Sequence, residues 1–381
     1  MKSILENEIF KVSSFTQNKN FQFKKEEILK HLPEALIQEA VDTIQSWDTY
    51  HPTPLLSLDK LSKELNLKNI FYKDEGQRFD LKSFKALGGA YAVNKVVKDK
   101  NAKTVATATA GNHGRSVAWG AKRLGINCKI FISEFVSDSR ATAMKNLGAE
   151  VIRVKGNYDA SLKECIKQSH ANDWEIVQDV SWPGYKEVPK YIMAGYSIMI
   201  KEIIDEIKNN SITHVFLQAG VGGMAASAIA GFAKFYNLIP KFIIVEPEDA
   251  DCVLKSIEQG EPKSIDIKKE SIMGGMSCGD VSTVAWEILK NSSNFCVSIP
   301  DQAIATMVAL LHEKKLSNQK IIAGECGVPS AISLIGLCQN QDYQNQLELT
   351  SNSNVLLIGC EGLTDQKMYD KLLNEGLTQI Q

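Results

Sequence analysis

No apolar stretch of this 381-residue sequence approaches the ~20 residues that a membrane-spanning helix needs, so no membrane role is expected. Net charge is almost absent: 43 Lys and Arg against 45 Asp and Glu leave −2. A basic footprint for nucleic acid is therefore missing. The charge runs "FKKEE" and "IDIKKE" read as solvated faces. Eight cysteines, at 128, 165, 252, 278, 296, 326, 338 and 360, form no CxxC pair, and six histidines form no HExxH. Zinc spacing and a disulfide scaffold are thus both lacking, and no metal is expected in the site. Most of the cysteines read as small buried hydrophobes. No internal repeat or low-complexity linker is found. The opening "MKSILENEIFKVSS" carries acids and no long apolar core, which makes a poor signal peptide and leads to the expectation of a cytoplasmic protein.

What is present is alternation. Short apolar, β-branched runs ("NIFYKDE", "KTVATAT", "CKIFIS", "EVIRVKG", "EIVQD", "HVFLQAG", "KFIIVEP", "NVLLIGCEG") alternate with helix-like stretches such as "GRSVAWGAKRLG" and "RATAMKNLGA". That pattern means βαβ units and parallel sheets, an α/β fold. The first fifty residues read as a helical extension, with "SWDTYHPTPL" as the entry turn.

Three loops carry chemistry. In "RFDLKSFKALGGAYA", Lys85 stands just before a glycine pair at a helix start, where a cation opposes the helix dipole. It reads as a lysine held for covalent chemistry, with the glycines letting a cofactor ring and neighbouring backbone lie close. "QAGVGGMAA", Gln218 to Ala226, follows a strand and opens an apolar helix, so its backbone amides can cradle a phosphate. "TATAGNHGRSVAW", Thr107 to Trp119, again joins strand to helix and offers Asn112, His113 and bare amides around Gly111, which suit a small carboxylate or a ring hydroxyl. A lysine, a phosphate cradle and an anion loop together answer to pyridoxal 5'-phosphate. A competing reading exists: Gly220, Gly222 and Ala225 satisfy GxGxxA, and Glu246 closes the next strand where a ribose-binding acid would stand. This would make the chain a nicotinamide dehydrogenase.

"SFKALGGAYA", "AGNHG" and "QAGVGGMA", in that order, resemble the tryptophan-synthase-like (fold type II) pyridoxal-phosphate enzymes. "YKDEGQRFDLKSFKALGGAYAV", "QDVSWPGYKEVPKYIMAGY", "VEPEDADC", "IMGGMSCGD" with "AWEIL", and "CEGLTD" are similar to the diaminopropionate ammonia-lyase branch. The resemblance implies two doubly wound α/β domains with mainly parallel sheets and the cofactor between them. A large domain would comprise 1–89 plus 202–381, a small inserted one 90–201. It also implies a homodimer.

By the same resemblance, Lys85 would carry the cofactor as a Schiff base and then take the Cα proton. Gly220, Val221, Gly222, Gly223 and Met224 would bind its phosphate, and Asn112 its ring hydroxyl. Thr109, Ala110, Gly111 and His113 would hold the substrate carboxylate. Cys360 would face the pyridine nitrogen as a neutral partner, and Asp179 would act as acid or base on the substrate side. Cys252 and Cys278 fall at the branch's cysteine pair, expected here mostly as thiols. Two positions depart from the branch: Ala110 replaces the aspartate tied to handling of the D-isomer, and Asp80 stands where glycine is usual. The implied reaction is β-elimination of ammonia from 2,3-diaminopropionate, with L-preference, to pyruvate. The alternatives are dehydration of serine, threonine or 3-hydroxyaspartate, the dehydrogenase above, and a homologue that binds ligand without turnover.

Overall fold

The computed structural model describes residues 2–207 and 210–381. Eleven strands occur among them: β1 (Ser14–Gln17), β2 (Leu55–Ser57), β3 (Asn69–Asp74), β4 (Thr104–Ala108), β5 (Asn127–Ser133), β6 (Glu150–Val154), β7 (Glu175–Ile176), β8 (His214–Gln218), β9 (Lys241–Pro247), β10 (Phe295–Ile299) and β11 (Asn354–Gly359). They form a seven-stranded sheet, β1–β10–β9–β8–β11–β3–β2, and a four-stranded sheet, β6–β5–β4–β7. The small sheet is parallel throughout. In the large one the five central strands are parallel, and β1 and β2 close the two edges antiparallel. Parallel neighbours need helical crossovers, which cover both faces, so β8, β10 and β11 are buried along their whole length. This is the α/β architecture the alternation predicts.

Each of the eight apolar runs contains a strand. The N-terminal reading needs correction. Helices Lys25–His31 and Glu34–Gln45 are there, but Ser14–Gln17 is a strand, pairing Ser14 with Ser298 and Gln17 with Phe295. Left uncovered, β10 would present a row of unpaired backbone groups, and β1 satisfies them.

The glycine pair after Lys85 lets neighbouring backbone and side chains lie close, and the close backbone is as expected. A β-carbon at Gly88 would lie 2.5 Å from the Ile192 carbonyl oxygen and collide with the Tyr196 ring. One at Gly89 would lie 2.8 Å from Ser116 Cβ. The glycines let the lysine helix (Lys85–Lys100) pack against helices Glu187–Tyr196 and Asn112–Leu124. They make room for neighbouring protein, backbone included.

The chain reaches Lys85 through a tightly held loop. Arg78, 1 % exposed, bonds Glu75 Oε1 at 2.7 Å and Glu202 Oε2 at 2.8 Å, and Lys73 Nζ meets Glu202 Oε2 at 2.6 Å. Two cations face two carboxylates, so no buried charge is left uncompensated. Beyond Arg78 the backbone is left-handed at Phe79, Asp80 and Lys82, with φ of 48°, 58° and 59°. That explains why glycine suits position 80. Aspartate tolerates this region better than most side chains, and the anchored loop holds it there.

Candidate active site

The carboxyl ends of β3, β4, β7, β8 and β11 deliver the predicted residues to one place, the usual location of function in open parallel sheets. Lys85 opens its helix, and its Nζ lies 2.5 Å from Asp179 Oδ2. Burial disfavours the ammonium, but the adjacent carboxylate outweighs it and holds the Lys85 pKa above the ordinary lysine value. For Asp179, burial would raise the pKa. His113 and Lys85 instead hold it below the usual carboxylate range. The Lys85 side chain remains 22 % exposed, so it is open to a ligand.

Asp179 is aimed by its neighbour. Gln178 Oε1 accepts from Thr107 Oγ1 at 2.9 Å and from the Ala108 amide at 3.0 Å, while its Nε2 donates to the Ala108 carbonyl and to Tyr158 Oη. His113 Nε2 lies 2.8 Å from the Val177 carbonyl oxygen and therefore carries the hydrogen. Burial lowers the His113 pKa and keeps the ring neutral. Its Nδ1, buried without a hydrogen-bond partner, stands 3.7 Å from Asp179 Oδ2. Lys85, Asp179 and His113 thus form one cluster of ionisable groups.

The glycine loop lies beside this cluster. Gly222, at φ +88°, turns the chain from β8 into helix Gly223–Phe235. The first amides of a helix lack intrahelical partners. Among the described residues, none of the amides from Gly220 to Met224 donates to a backbone carbonyl outside the helix. A β-carbon at Gly223 would meet nothing nearer than 4.0 Å, where the first atoms are Asp179 O and Met193 Cγ. At Gly220 it would meet Cys278 Sγ at 3.0 Å. The Val221 carbonyl accepts from Ser282 N at 2.9 Å, and Ser282 Oγ lies 2.7 Å from Ser181 Oγ, which ties the loop to the segment carrying Asp179. Met224 is buried in the first helical turn.

Asn112 opens helix Asn112–Leu124, and its Nδ2 donates to Glu361 Oε2 at 2.6 Å. Glu361 Oε1 accepts from the Cys326 amide at 3.0 Å. Cys360 follows β11 directly. Its thiol lies 2.9 Å from the Cys326 carbonyl oxygen, its own carbonyl accepts from Phe84 N at 3.0 Å, and burial pushes its pKa well up. A neutral thiol therefore sits next to the residue preceding Lys85. Thr109 Oγ1 accepts from the amides of Gly111 and Gly114, at 3.1 and 3.2 Å, and so shapes the Thr109–His113 loop. The Ala110 carbonyl accepts from Arg140 Nη1 at 3.4 Å.

Glu246 is not available to a ribose. Its two oxygens accept from Val253 N at 2.8 Å and Leu254 N at 2.7 Å, capping helix Cys252–Gln259. Cys252 and Cys278 are both free thiols, with Cys252 Sγ 3.6 Å from the Gly220 carbonyl oxygen. Sequence reasoning missed Glu361, Gln178, Tyr196 and Arg140. Arg140 Nη2 lies 3.7 Å from Glu325 Oε1, and its Nε 3.7 Å from Asp365 Oδ2. Glu361 was signalled only by its position after Cys360. The others act through contacts that no local pattern encodes.

Comparison with known proteins decides the family. Residues 47–361 match the model described as pyridoxal-phosphate dependent enzyme. The chain belongs to that family. Within it, the chain is a fold type II enzyme of the diaminopropionate ammonia-lyase branch. The Escherichia coli K12 diaminopropionate ammonia-lyase is 36 % identical over 353 residues, covering 86 % of this chain and 88 % of its own. That of Salmonella typhimurium LT2 is 33 % identical over 359 residues, covering 86 % and 89 %. The crystal structure of the Escherichia coli enzyme in complex with an aminoacrylate–PLP azomethine reaction intermediate superposes with a TM-score of 0.89 and 33 % identity, covering 97 % of this chain and 98 % of that one. This identity overturns the dehydrogenase reading, as the capping role of Glu246 does independently.

The residues present fit pyridoxal phosphate. Gly223 leaves open space at a helix start where its own amide and that of Met224 meet no backbone carbonyl outside the helix, which suits a phosphate, and Lys85 stands within the same cluster. Lys85 would hold the aldehyde carbon, Gly220 to Met224 the phosphate, Asn112 the ring hydroxyl and Cys360 the pyridine nitrogen. The enzyme is a lyase. No helix among the described residues is long and apolar enough to cross a membrane.

Proposed function

We propose that this enzyme eliminates ammonia from 2,3-diaminopropionate, preferring the L-isomer, and yields pyruvate and two ammonia with the uptake of one water. The observation that carries this reading is the Lys85–Asp179 ion pair at 2.5 Å. Once Lys85 is committed to the cofactor, it no longer neutralises Asp179. A substrate with a second ammonium group, on its β-carbon, supplies the missing cation, whereas a hydroxyl does not.

Bound pyridoxal phosphate supplies a carbonyl for the substrate amine and a ring that delocalises the electron pair left at Cα. The chain does the rest. The Thr109–His113 loop orients the substrate carboxylate, and Lys85 takes the Cα proton. Asp179 holds the β-nitrogen as its ammonium, so that it leaves with the C–N electron pair as neutral ammonia, and the neutral ring of His113, 3.7 Å away, keeps Asp179 in place. Such general acid–base help is worth ~10²–10⁴-fold. Cys360, kept neutral by burial, leaves the ring nitrogen without a carboxylate partner, which favours elimination over transamination.

A second reading, loss of water from serine, threonine or 3-hydroxyaspartate, draws on Ala110, which makes the loop read "TAGNH" as in the hydroxy-amino-acid dehydratases. The test is 2-oxo acid release from L-2,3-diaminopropionate, its D-isomer and L-serine by cofactor-loaded protein. Release from the L-diamine alone is expected. Release from serine and not from the diamine would move the enzyme to the dehydratases.

A further inference from the structure

Glu361 is a buried carboxylate that the reaction scheme above leaves unused. It follows Cys360 at the end of β11 and is 4 % exposed. Both of its oxygens accept hydrogen bonds, Oε2 from Asn112 Nδ2 at 2.6 Å and Oε1 from the Cys326 amide at 3.0 Å. The first bond crosses from the seven-stranded sheet to the start of the helix that follows β4 in the four-stranded one. Space is made for the side chain: a β-carbon at Gly324 would lie 3.2 Å from both Glu361 Cγ and Oε1. The backbone is held as well. Residues 360–362 run antiparallel beside 82–84, with Gly362 N donating to the Lys82 carbonyl at 2.9 Å, Phe84 N to the Cys360 carbonyl at 3.0 Å, and Ser83 opposite Glu361. Glu361 therefore stands against the segment that leads into Lys85, and its side chain reaches from there to Asn112.

We propose that Glu361 is a positioning residue for pyridoxal phosphate, acting through Asn112: it takes one hydrogen of the Asn112 amide and so turns the other toward the cofactor's ring hydroxyl. This rests on the reading that Lys85 and Asn112 hold the cofactor. An asparagine amide can present either an acceptor or a donor to a ligand. A carboxylate only accepts, so the amide atom 2.6 Å from it is the nitrogen. One Nδ2 hydrogen is used there, and the second remains to donate to the ring oxygen. On the pyridine ring, the carbon bearing the hydroxyl adjoins the carbon bearing the aldehyde. The protein groups that meet the two must keep one spacing. Glu361 sets it, with its backbone paired to the lysine's segment and its side chain on Asn112. It acts on the cofactor only through that amide.

Glu361→Gln keeps the shape and removes the charge, so either end of the new amide can face Asn112 and the orientation is no longer imposed. Cofactor-free protein is titrated with pyridoxal phosphate and with its 3-deoxy analogue, which lacks only the ring hydroxyl. The ratio of the two dissociation constants is the readout. Glu361→Gln weakens pyridoxal phosphate ~10-fold and the analogue by about twofold at most, the size of a hydrogen bond to a charged group, so the preference for the hydroxyl collapses. A role in packing alone weakens both ligands alike and leaves the ratio at its wild-type value, which overturns the proposal. Asn112→Ala is measured alongside. If it collapses the ratio and Glu361→Gln does not, this proposal alone fails. If Asn112→Ala leaves the ratio unchanged, Asn112 does not meet the ring hydroxyl, and that reading falls together with the proposal. Both ligands are titrated into one preparation, so any loss of folded protein cancels in the ratio. Glu361→Asp, which keeps the charge and shortens the reach, is expected to give the same collapse, and it decides by the same ratio should the glutamine variant not fold.

Discussion

Gly88 and Tyr196 share one volume: the side chain absent from the first is the space occupied by the ring of the second. The contact joins the lysine helix to helix Glu187–Tyr196 and holds an aromatic group beside the candidate cofactor lysine. It shows that the two kinds of glycine in this site answer to different demands, packing in one case and ligand space in the other.

Those demands separate in experiment. Gly88→Ala inserts a methyl 2.5 Å from the Ile192 carbonyl oxygen and destabilises the fold by ~1–3 kcal/mol or more. Gly223→Ala meets nothing nearer than 4.0 Å and leaves the melting temperature of cofactor-free protein close to wild type. It weakens pyridoxal phosphate binding at least ~10-fold, because the methyl enters the phosphate's space. Thermal melting and a cofactor titration of each variant check both halves.

Asp179→Asn keeps the shape of the side chain and removes its charge. Lys85 loses the carboxylate that holds it charged, so its labelling midpoint in cofactor-free protein falls. Turnover of diaminopropionate falls ~10²–10⁴-fold. If Asp179 binds the β-ammonium, KM for the diamine rises while any residual serine turnover keeps its KM. Equal effects on both substrates would remove that role.

Ala110→Asp adds a proton acceptor to the loop that carries Asn112 and His113, next to the guanidinium of Arg140, which already bonds the residue-110 carbonyl. Turnover of D-2,3-diaminopropionate is expected to rise ~10²-fold or more. A D-to-L ratio that matches wild type would show that stereochemistry is set elsewhere.

His214 makes stability pH-dependent away from the site. Its ring lies 2.8 Å from both the Leu347 carbonyl oxygen and Thr213 Oγ1, and burial lowers its pKa from 6.5 to about 4. The folded-state value lies below the unfolded one, so the contribution is complete above pH 6.5 and is lost as pH falls from 6.5 to about 4. The loss is roughly 3 kcal/mol. Denaturant unfolding at pH 7 and pH 5 reads roughly 2 kcal/mol of it, and His214→Gln is expected to flatten the slope.

By itself the sequence made eight of the eleven described strands legible, in the apolar, β-branched runs, because strands of covered parallel sheets are largely apolar. The buried strand β10, whose "FCVSI" is short and carries a cysteine and a serine, was not read as one. The sequence also determined the family, because a lysine before paired glycines, an Asn–His loop and a glycine-rich turn recur in fixed order. The edge strands β1 and β2 were not legible. They are three or four residues long and half-buried, and only a partner strand makes them strands. Nor were the partners of the site. Asp179 lies 94 positions from Lys85, and Glu361 lies 249 from Asn112. Each pair is joined by an ion pair or hydrogen bond that exists only after the strands deliver both ends to one edge of the sheets. The neighbour that Gly88 admits was not legible for the same reason. A glycine in a sequence shows that space is required, and the tertiary structure alone decides that Tyr196 fills it.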